Sequence, residues 1–115
     1  MNKEKKLYQQ GDVLIESIDE IPSDVKGSTK FKNSSKIGEC FVLAEGEVTG
    51  HFHGISKSDS MLLERPSGET YLKVKSDTDV IHQEHGTITI PAGDYAIRQV
   101  KEYDHFDEAV RAVQD

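Results

Sequence analysis

Residues 87–94 read Thr-Ile-Thr-Ile-Pro-Ala-Gly-Asp, and this stretch decides the class of fold. Polar and apolar side chains alternate over residues 87–90, which is typical of a strand that buries one face. The Pro-Ala-Gly-Asp that follows predicts a tight turn. Residues 70–74, Thr-Tyr-Leu-Lys-Val, alternate in a similar way after a Pro-Ser-Gly turn signal at 66–68. The pattern predicts an all-β domain.

Further strands are predicted on both sides of these two. They cover residues 11–18, 39–45, 48–55, 61–64, 80–81 and 95–103. Within 39–45, Phe41 and Leu43 share one face of the strand, while Cys40 and Val42 share the other. Residues 22–38 are rich in Ser, Lys, Gly and Asn, and this composition predicts a long, mobile, exposed loop.

The C-terminal segment carries a helical pattern. Asp104 can cap a first turn, and apolar residues follow at helical spacing: Phe106, Ala109, Val110 and Val113. A chain of 115 residues fits one domain. We therefore expect residues 1–115 to form a single small β-barrel that a short C-terminal helix closes.

Composition excludes several classes of partner. A formal net charge of -7 argues against binding nucleic acid over a broad surface, which requires a concentrated basic stripe. The single cysteine, Cys40, cannot form an internal disulfide, so we expect a cytoplasmic protein. The longest apolar run, residues 41–44, is too short to span a membrane. Because only 35% of the residues are hydrophobic, the core is thin and a homo-oligomer is expected.

Four of the five histidines lie in two short groups. Because side chains alternate along a strand, His51 and His53 point the same way while Phe52 points to the opposite face. The flanking Gly50 and Gly54 are expected to leave room beside the imidazoles for an ion or small ligand.

The second group, His82-Gln83-Glu84-His85, adds nitrogen and carboxylate donors. Three histidines, with or without Glu84, would hold Zn, Fe(II), Mn or Ni and leave coordination positions open, as catalytic sites do. The predicted metal ligands are His51, His53, His82 and His85. Glu84 and His85 are the candidate catalytic residues, with Glu84 as ligand or general base. A small polar molecule is the expected ligand or substrate.

Three other interpretations remain open. The histidines can face solvent or pack at the rim of a sheet without a metal. A histidine pair with Glu84, Tyr95 or Arg98 can act as a general acid and base on a phosphodiester. Alternatively, the chain is a non-enzymatic bacterial or phage module that sequesters a small ligand or a protein, with residues 22–38 as a clasp.

Several motifs resemble a family of small uncharacterised bacterial and phage proteins. They are Gln10-Gly11-Asp12-Val13-Leu14, residues 43–53 (Leu-Ala-Glu-Gly-Glu-Val-Thr-Gly-His-Phe-His), His82-Gln83-Glu84-His85, and residues 88–95 (Ile-Thr-Ile-Pro-Ala-Gly-Asp-Tyr). The resemblance covers nearly the whole chain and implies one intact domain.

Two more distant resemblances concern the fold. His51-Phe52-His53, a later histidine and Pro91-Ala92-Gly93 resemble the cupin pattern. That resemblance implies a double-stranded β-helix whose metal is held by an H-x-H pair, a glutamate and a third histidine. The opening at residues 11–15, followed by a Lys- and Ser-rich loop, resembles GroES-like barrels and implies a ring-forming subunit.

Overall fold

The computed structural model describes residues 5–45 and 50–100, and its regular structure consists of β-strands. In chain order these are β1 (Leu7–Gln10), β2 (Val13–Ser17), β3 (Lys26–Gly27), β4 (Phe31–Ser34), β5 (Gly38–Glu45), β6 (Phe52–Ser56), β7 (Ser60–Glu64), β8 (Thr70–Val74), β9 (Thr78–Ile81), β10 (Ile88–Ile90) and β11 (Gly93–Gln99). One sheet has the order β1-β2-β11-β8-β7-β3 and the other β10-β9-β6-β5-β4, and the paired strands are antiparallel. The predicted all-β class is confirmed.

The main core contains buried side chains from both sheets, which makes the fold a sandwich. The first sheet contributes Val13, Ile15, Leu62, Leu72, Val74, Tyr95 and Ile97, and the second contributes Phe41, Leu43, Ile55, Val80 and Ile90. Val13 and Ile15 of β2, and Leu72 and Val74 of β8, all enter this core, because alternate side chains of a strand share a face. Full burial of each aliphatic side chain contributes about 1.5–3 kcal/mol relative to exposure.

A second, smaller apolar cluster contains the side chains of β5 that alternate with Phe41 and Leu43. It consists of Cys40, Val42 and Phe52, with Ile37 packed against them. This arrangement confirms the division of β5 into two faces. Cys40 is fully buried, and its burial raises the pKa of the thiol, so it behaves as a small apolar side chain.

Two segments differ from the sequence prediction. Residues 22–38 contain β3 and β4, which pair with β7 and β5, so the segment is not an irregular loop throughout. The predicted strand at 11–18 is preceded by another strand, β1, and Gly11-Asp12 is the turn between β1 and β2. Strands β3 and β4 form backbone hydrogen bonds with the longer strands β7 and β5. The composition of residues 22–38 alone does not reveal these partners.

The predicted helix at residues 104–113 lies outside the described residues, as do the last residues of the strand predicted at 95–103. Within residues 5–45 and 50–100, no helix has the length and apolar character needed to cross a membrane.

Candidate histidine site

The structure brings the four predicted histidines together at one end of the sandwich. His53 follows the alternation of the core residue Ile55 in β6, and His82 continues that of Val80 just beyond β9, so both point between the sheets. The ring centre of His82 lies 4.4 Å from that of His53, 4.7 Å from that of His85 and 5.5 Å from that of His51. The β1–β2 turn of the opposite sheet closes this end, as its contacts with His53 show.

Gln10 is the main partner of the buried His53 ring. Its Oε1 lies 2.8 Å from His53 Nδ1, and its Nε2 donates to the carbonyl oxygens of Val80 and Gly86 at 2.8 and 2.9 Å. A carbonyl oxygen can only accept, so these two bonds fix which end of the amide is nitrogen. His53 Nδ1 must therefore donate its proton to Gln10.

Asp12 faces the other nitrogen of His53. Its Oδ1 lies 3.2 Å from His53 Nε2, and its Oδ2 accepts a hydrogen bond from Gln99 Nε2 at 2.8 Å. Because Nδ1 carries the proton of the neutral ring, Nε2 presents a lone pair to a carboxylate oxygen. Two acceptors thus face each other across 3.2 Å.

Burial determines the charge of the His53 ring near neutral pH. Its side chain is only 1% exposed, and this burial, followed by the charge of the neighbouring His82, lowers its pKa to about 4 although Asp12 acts in the opposite direction. Near neutral pH the ring is therefore neutral. At this pH no proton lies between His53 Nε2 and Asp12 to offset the repulsion between the two acceptors.

His82 has a different role from His53. Its Nδ1 accepts backbone N–H groups of Glu84 at 3.0 Å and His85 at 3.2 Å, so this nitrogen holds the turn that follows β9. Burial, and then the charges of His85 and His51, lower the pKa of His82. Gln83 ties the turn to β6, because its Oε1 accepts the N–H of Phe52 at 2.7 Å.

The other predicted site residues lie at the accessible side of the cluster. His51 Nδ1 lies 3.1 Å from Glu84 Oε2, and the two side chains are 22% and 64% exposed. His85 is exposed, with its ring 6.0 Å from and nearly parallel to that of His53. Glu84 and Asp12 thus place two carboxylates beside the imidazoles, an arrangement that favours a cation.

The glycines that make room for side chains differ from those expected. A Cβ atom at Gly54 would lie 2.8 Å from the ring of Phe52, so this glycine accommodates Phe52 rather than an imidazole. Gly50 adopts a positive φ of 87° and has open space around it. Gly11 is the glycine that an imidazole approaches, since its Cβ would lie 2.5 Å from His85 Nε2.

Two residues considered for acid–base chemistry are engaged elsewhere. The hydroxyl of Tyr95 donates to the carbonyl oxygen of Pro91 at 2.6 Å, and burial raises its pKa to about 12. Arg98 pairs with Glu16 at 3.0 Å. Among the residues that the structure describes, no three His, Cys, Asp or Glu side chains are already arranged to hold a metal ion.

The sequence of residues 9–100 matches the family model described as "Domain of unknown function (DUF8820)". The chain belongs to the DUF8820 family. The match agrees with the predicted membership of an uncharacterised family of small domains and provides no link to cupins. No curated protein and no solved structure matches the chain.

The DUF8820 match spans Gln10, Gly11 and Asp12 as well as the four clustered histidines. Sequence reasoning did not assign these three residues to the site, because they lie about forty positions before the nearest histidine. The available signal was the Gly-Asp turn itself. In this fold the turn places Asp12 against His53 at the end of the core.

Proposed function

We propose that this DUF8820 protein binds a divalent transition-metal ion at the histidine cluster, with His53 Nε2 and an Asp12 carboxylate oxygen as its first two ligands. The observation that carries the proposal is the pair of acceptors facing each other across 3.2 Å. A cation between them supplies the positive charge that the neutral ring lacks. Zn, Fe(II), Mn and Ni all accept imidazole and carboxylate donors.

The distance between the two donors supports a shared ion. Two ligands bound at about 2.0–2.1 Å in tetrahedral geometry lie roughly 3.3 Å apart, which is close to the 3.2 Å between His53 Nε2 and Asp12 Oδ1. Gln10 also fits the arrangement found around metal-binding histidines, in which the second ring nitrogen donates to an oxygen that fixes the tautomer.

Two ligands in place leave several positions for further donors. The carboxylate of Asp12 is 43% exposed, so the ion would be reached from the solvent side. An ion with open positions can polarise an oxygen of a bound molecule or lower the pKa of bound water. The proposal therefore includes a small polar molecule with an oxygen donor as the ligand or substrate.

A second candidate is a non-enzymatic module that binds a small polar molecule without a metal. The exposed carboxylates of Asp12 and Glu84 favour it, because they present acceptors at the rim of the cluster. In this case the protein would retain its ligand after a chelator has removed metal ions. His51 and Glu84 would then contact that ligand directly.

The test is the metal content of untagged protein, measured by inductively coupled plasma mass spectrometry after incubation with Zn(II) and gel filtration. The decisive variant is Asp12→Asn, which keeps the shape of the side chain and removes the anionic ligand. Asp19→Asn, at an exposed position, is the matched control for the change in charge.

We expect about one Zn(II) per chain in the wild type and in Asp19→Asn, and a Zn(II) content well below one per chain in Asp12→Asn. Folded wild-type protein that takes up no Zn(II), Co(II), Fe(II), Mn(II) or Ni(II) would reject the metal function. Equal Zn(II) content in Asp12→Asn and Asp19→Asn would reject the assignment of Asp12.

A further inference from the structure

Gly11 lies in the turn between β1 and β2, and His85 lies in the connection between β9 and β10 of the other sheet. The two residues are nevertheless in close contact. A Cβ atom on Gly11 would lie 2.5 Å from Nε2 and 2.7 Å from Cδ2 of His85, so any side chain at position 11 would displace the imidazole. Gly11 also has a positive φ of 57°, as the turn between β1 and β2 requires. The glycine therefore serves both the turn and the ring that lies against it.

Each of the other three clustered histidines has at least one ring nitrogen in a polar contact. His53 Nδ1 donates to Gln10 while its Nε2 faces Asp12, His82 Nδ1 accepts two backbone N–H groups, and His51 Nδ1 faces Glu84. The contacts of the His85 imidazole with the other histidines, by contrast, are ring contacts with His53 and His82. Among the described histidines of the cluster, His85 is the one whose ring nitrogens are not engaged in a hydrogen bond.

We propose that Gly11 is a positioning residue whose lack of a side chain leaves room for His85 beside the His53–Asp12 pair, so that His85 supplies the third ligand of the metal ion. This inference rests on the proposed metal function. Gln10, Gly11 and Asp12 then act as one unit, in which Gln10 orients His53, Asp12 contributes a carboxylate, and Gly11 leaves the space that His85 occupies.

His85 has to change only its side-chain conformation to reach the ion. Its side chain is exposed, so rotation about its own side-chain bonds turns a ring nitrogen towards the ion without disturbing the core. Two imidazoles and one carboxylate make a ligand set with open positions, a set that suits Fe(II), Zn or Mn. Such open positions would admit water or a small oxygen donor.

The test compares Gly11→Ala with Gly38→Ala, a control that isolates the contact with His85. Gly38 also has a positive φ, 78°, but a Cβ there would have open space around it. Both variants therefore carry the backbone strain, while Gly11→Ala alone displaces the imidazole. His85→Ala removes the proposed ligand at an exposed position. A double variant that carries both Gly11→Ala and His85→Ala completes a double-mutant cycle.

Zn(II) affinity is measured by competition with a chromophoric chelator, and ligand geometry by the visible absorption of the Co(II) form. We expect Gly11→Ala and His85→Ala to weaken Zn(II) binding at least tenfold and to alter the Co(II) spectrum, with no further loss in the double variant. Gly38→Ala should bind as the wild type does.

Wild-type protein that binds Zn(II) through Asp12, with Gly11→Ala and His85→Ala matching Gly38→Ala, would overturn this inference alone. An additional loss caused by Gly11→Ala in the His85→Ala background would also overturn it, because Gly11 would then act by another route. Wild-type protein that binds no metal would reject the proposed function as well.

Discussion

Gln10 and His53, 43 residues apart in the sequence, are joined by a 2.8 Å hydrogen bond that crosses from one sheet to the other. The same amide donates to the carbonyl oxygens of Val80 and Gly86. One side chain therefore connects β1 to β6, to β9 and to the segment between β9 and β10. This bond fixes the tautomer of His53. It also makes Gln10 a structural link at the end of the sandwich where the site lies.

Replacing Gln10 with alanine should therefore destabilise the fold. The change leaves the His53 N–H and the Val80 carbonyl oxygen without their partner in a buried place, and removes a part-buried bond to Gly86. We expect a loss of about 3 kcal/mol in the free energy of unfolding. Urea unfolding measures the loss. Gln9→Ala, at an exposed position of the same strand, is the control, with an expected change of about 0.5 kcal/mol or less. Equal losses in the two variants would show that the buried network contributes little.

The buried His53 should make stability depend on pH. Its pKa is lowered to about 4 in the fold from 6.5 in the unfolded chain, so the unfolded state takes up the proton first as the pH falls. Stability is complete above pH 6.5 and is lost as the pH falls towards 4, by up to roughly 3 kcal/mol, since one pKa unit corresponds to about 1.4 kcal/mol.

Unfolding free energies at pH 7.5 and 5.0, measured with a chelator present, test this dependence. His53→Gln cannot take up the proton and should lose less stability than the wild type over this interval. A loss of the same size in both proteins would assign the pH dependence to other groups, of which His82 is the first candidate because its pKa is also lowered.

Gly54 should tolerate alanine poorly. Its Cβ would lie 2.8 Å from Phe52 Cε2 and 3.2 Å from Cys40 Cβ, both within the smaller apolar cluster. Overpacking of this kind costs about 1–3 kcal/mol. Gly27→Ala is the control, since a Cβ there meets nothing within 4 Å and its φ is not positive. Thermal unfolding that shifts equally in the two variants would contradict this account of Gly54.

Part of this fold is predictable from local sequence. Strands β5 and β8 and the turn at Pro66-Ser67-Gly68 follow from alternation and turn chemistry, which are properties of a few adjacent residues. Strand β3 does not follow, because its two residues pair with β7, which lies far along the chain. Strand β4 forms a hairpin with the adjacent β5, but its short polar sequence lacks the apolar alternation that marks a strand.

The same distinction applies to the site. The spacing of His51 and His53, and the proximity of His82 to His85, suggest a cluster directly. Gln10, Gly11 and Asp12 reach the cluster through the packing of one sheet against the other, which a local pattern does not specify. Gly54 shows the opposite error. Its position beside His53 suggested space for a ligand, whereas the alternation of the strand places it under Phe52.

The central claim is that a metal ion lies between His53 Nε2 and the carboxylate of Asp12. The most direct measurement is an anomalous difference map from crystals grown with Zn(II), recorded on both sides of the zinc absorption edge. The account predicts a peak about 2 Å from both atoms. Crystals in which the peak lies away from these two atoms, or in which His53 Nε2 and Asp12 remain in direct contact with no peak at the cluster, would contradict it.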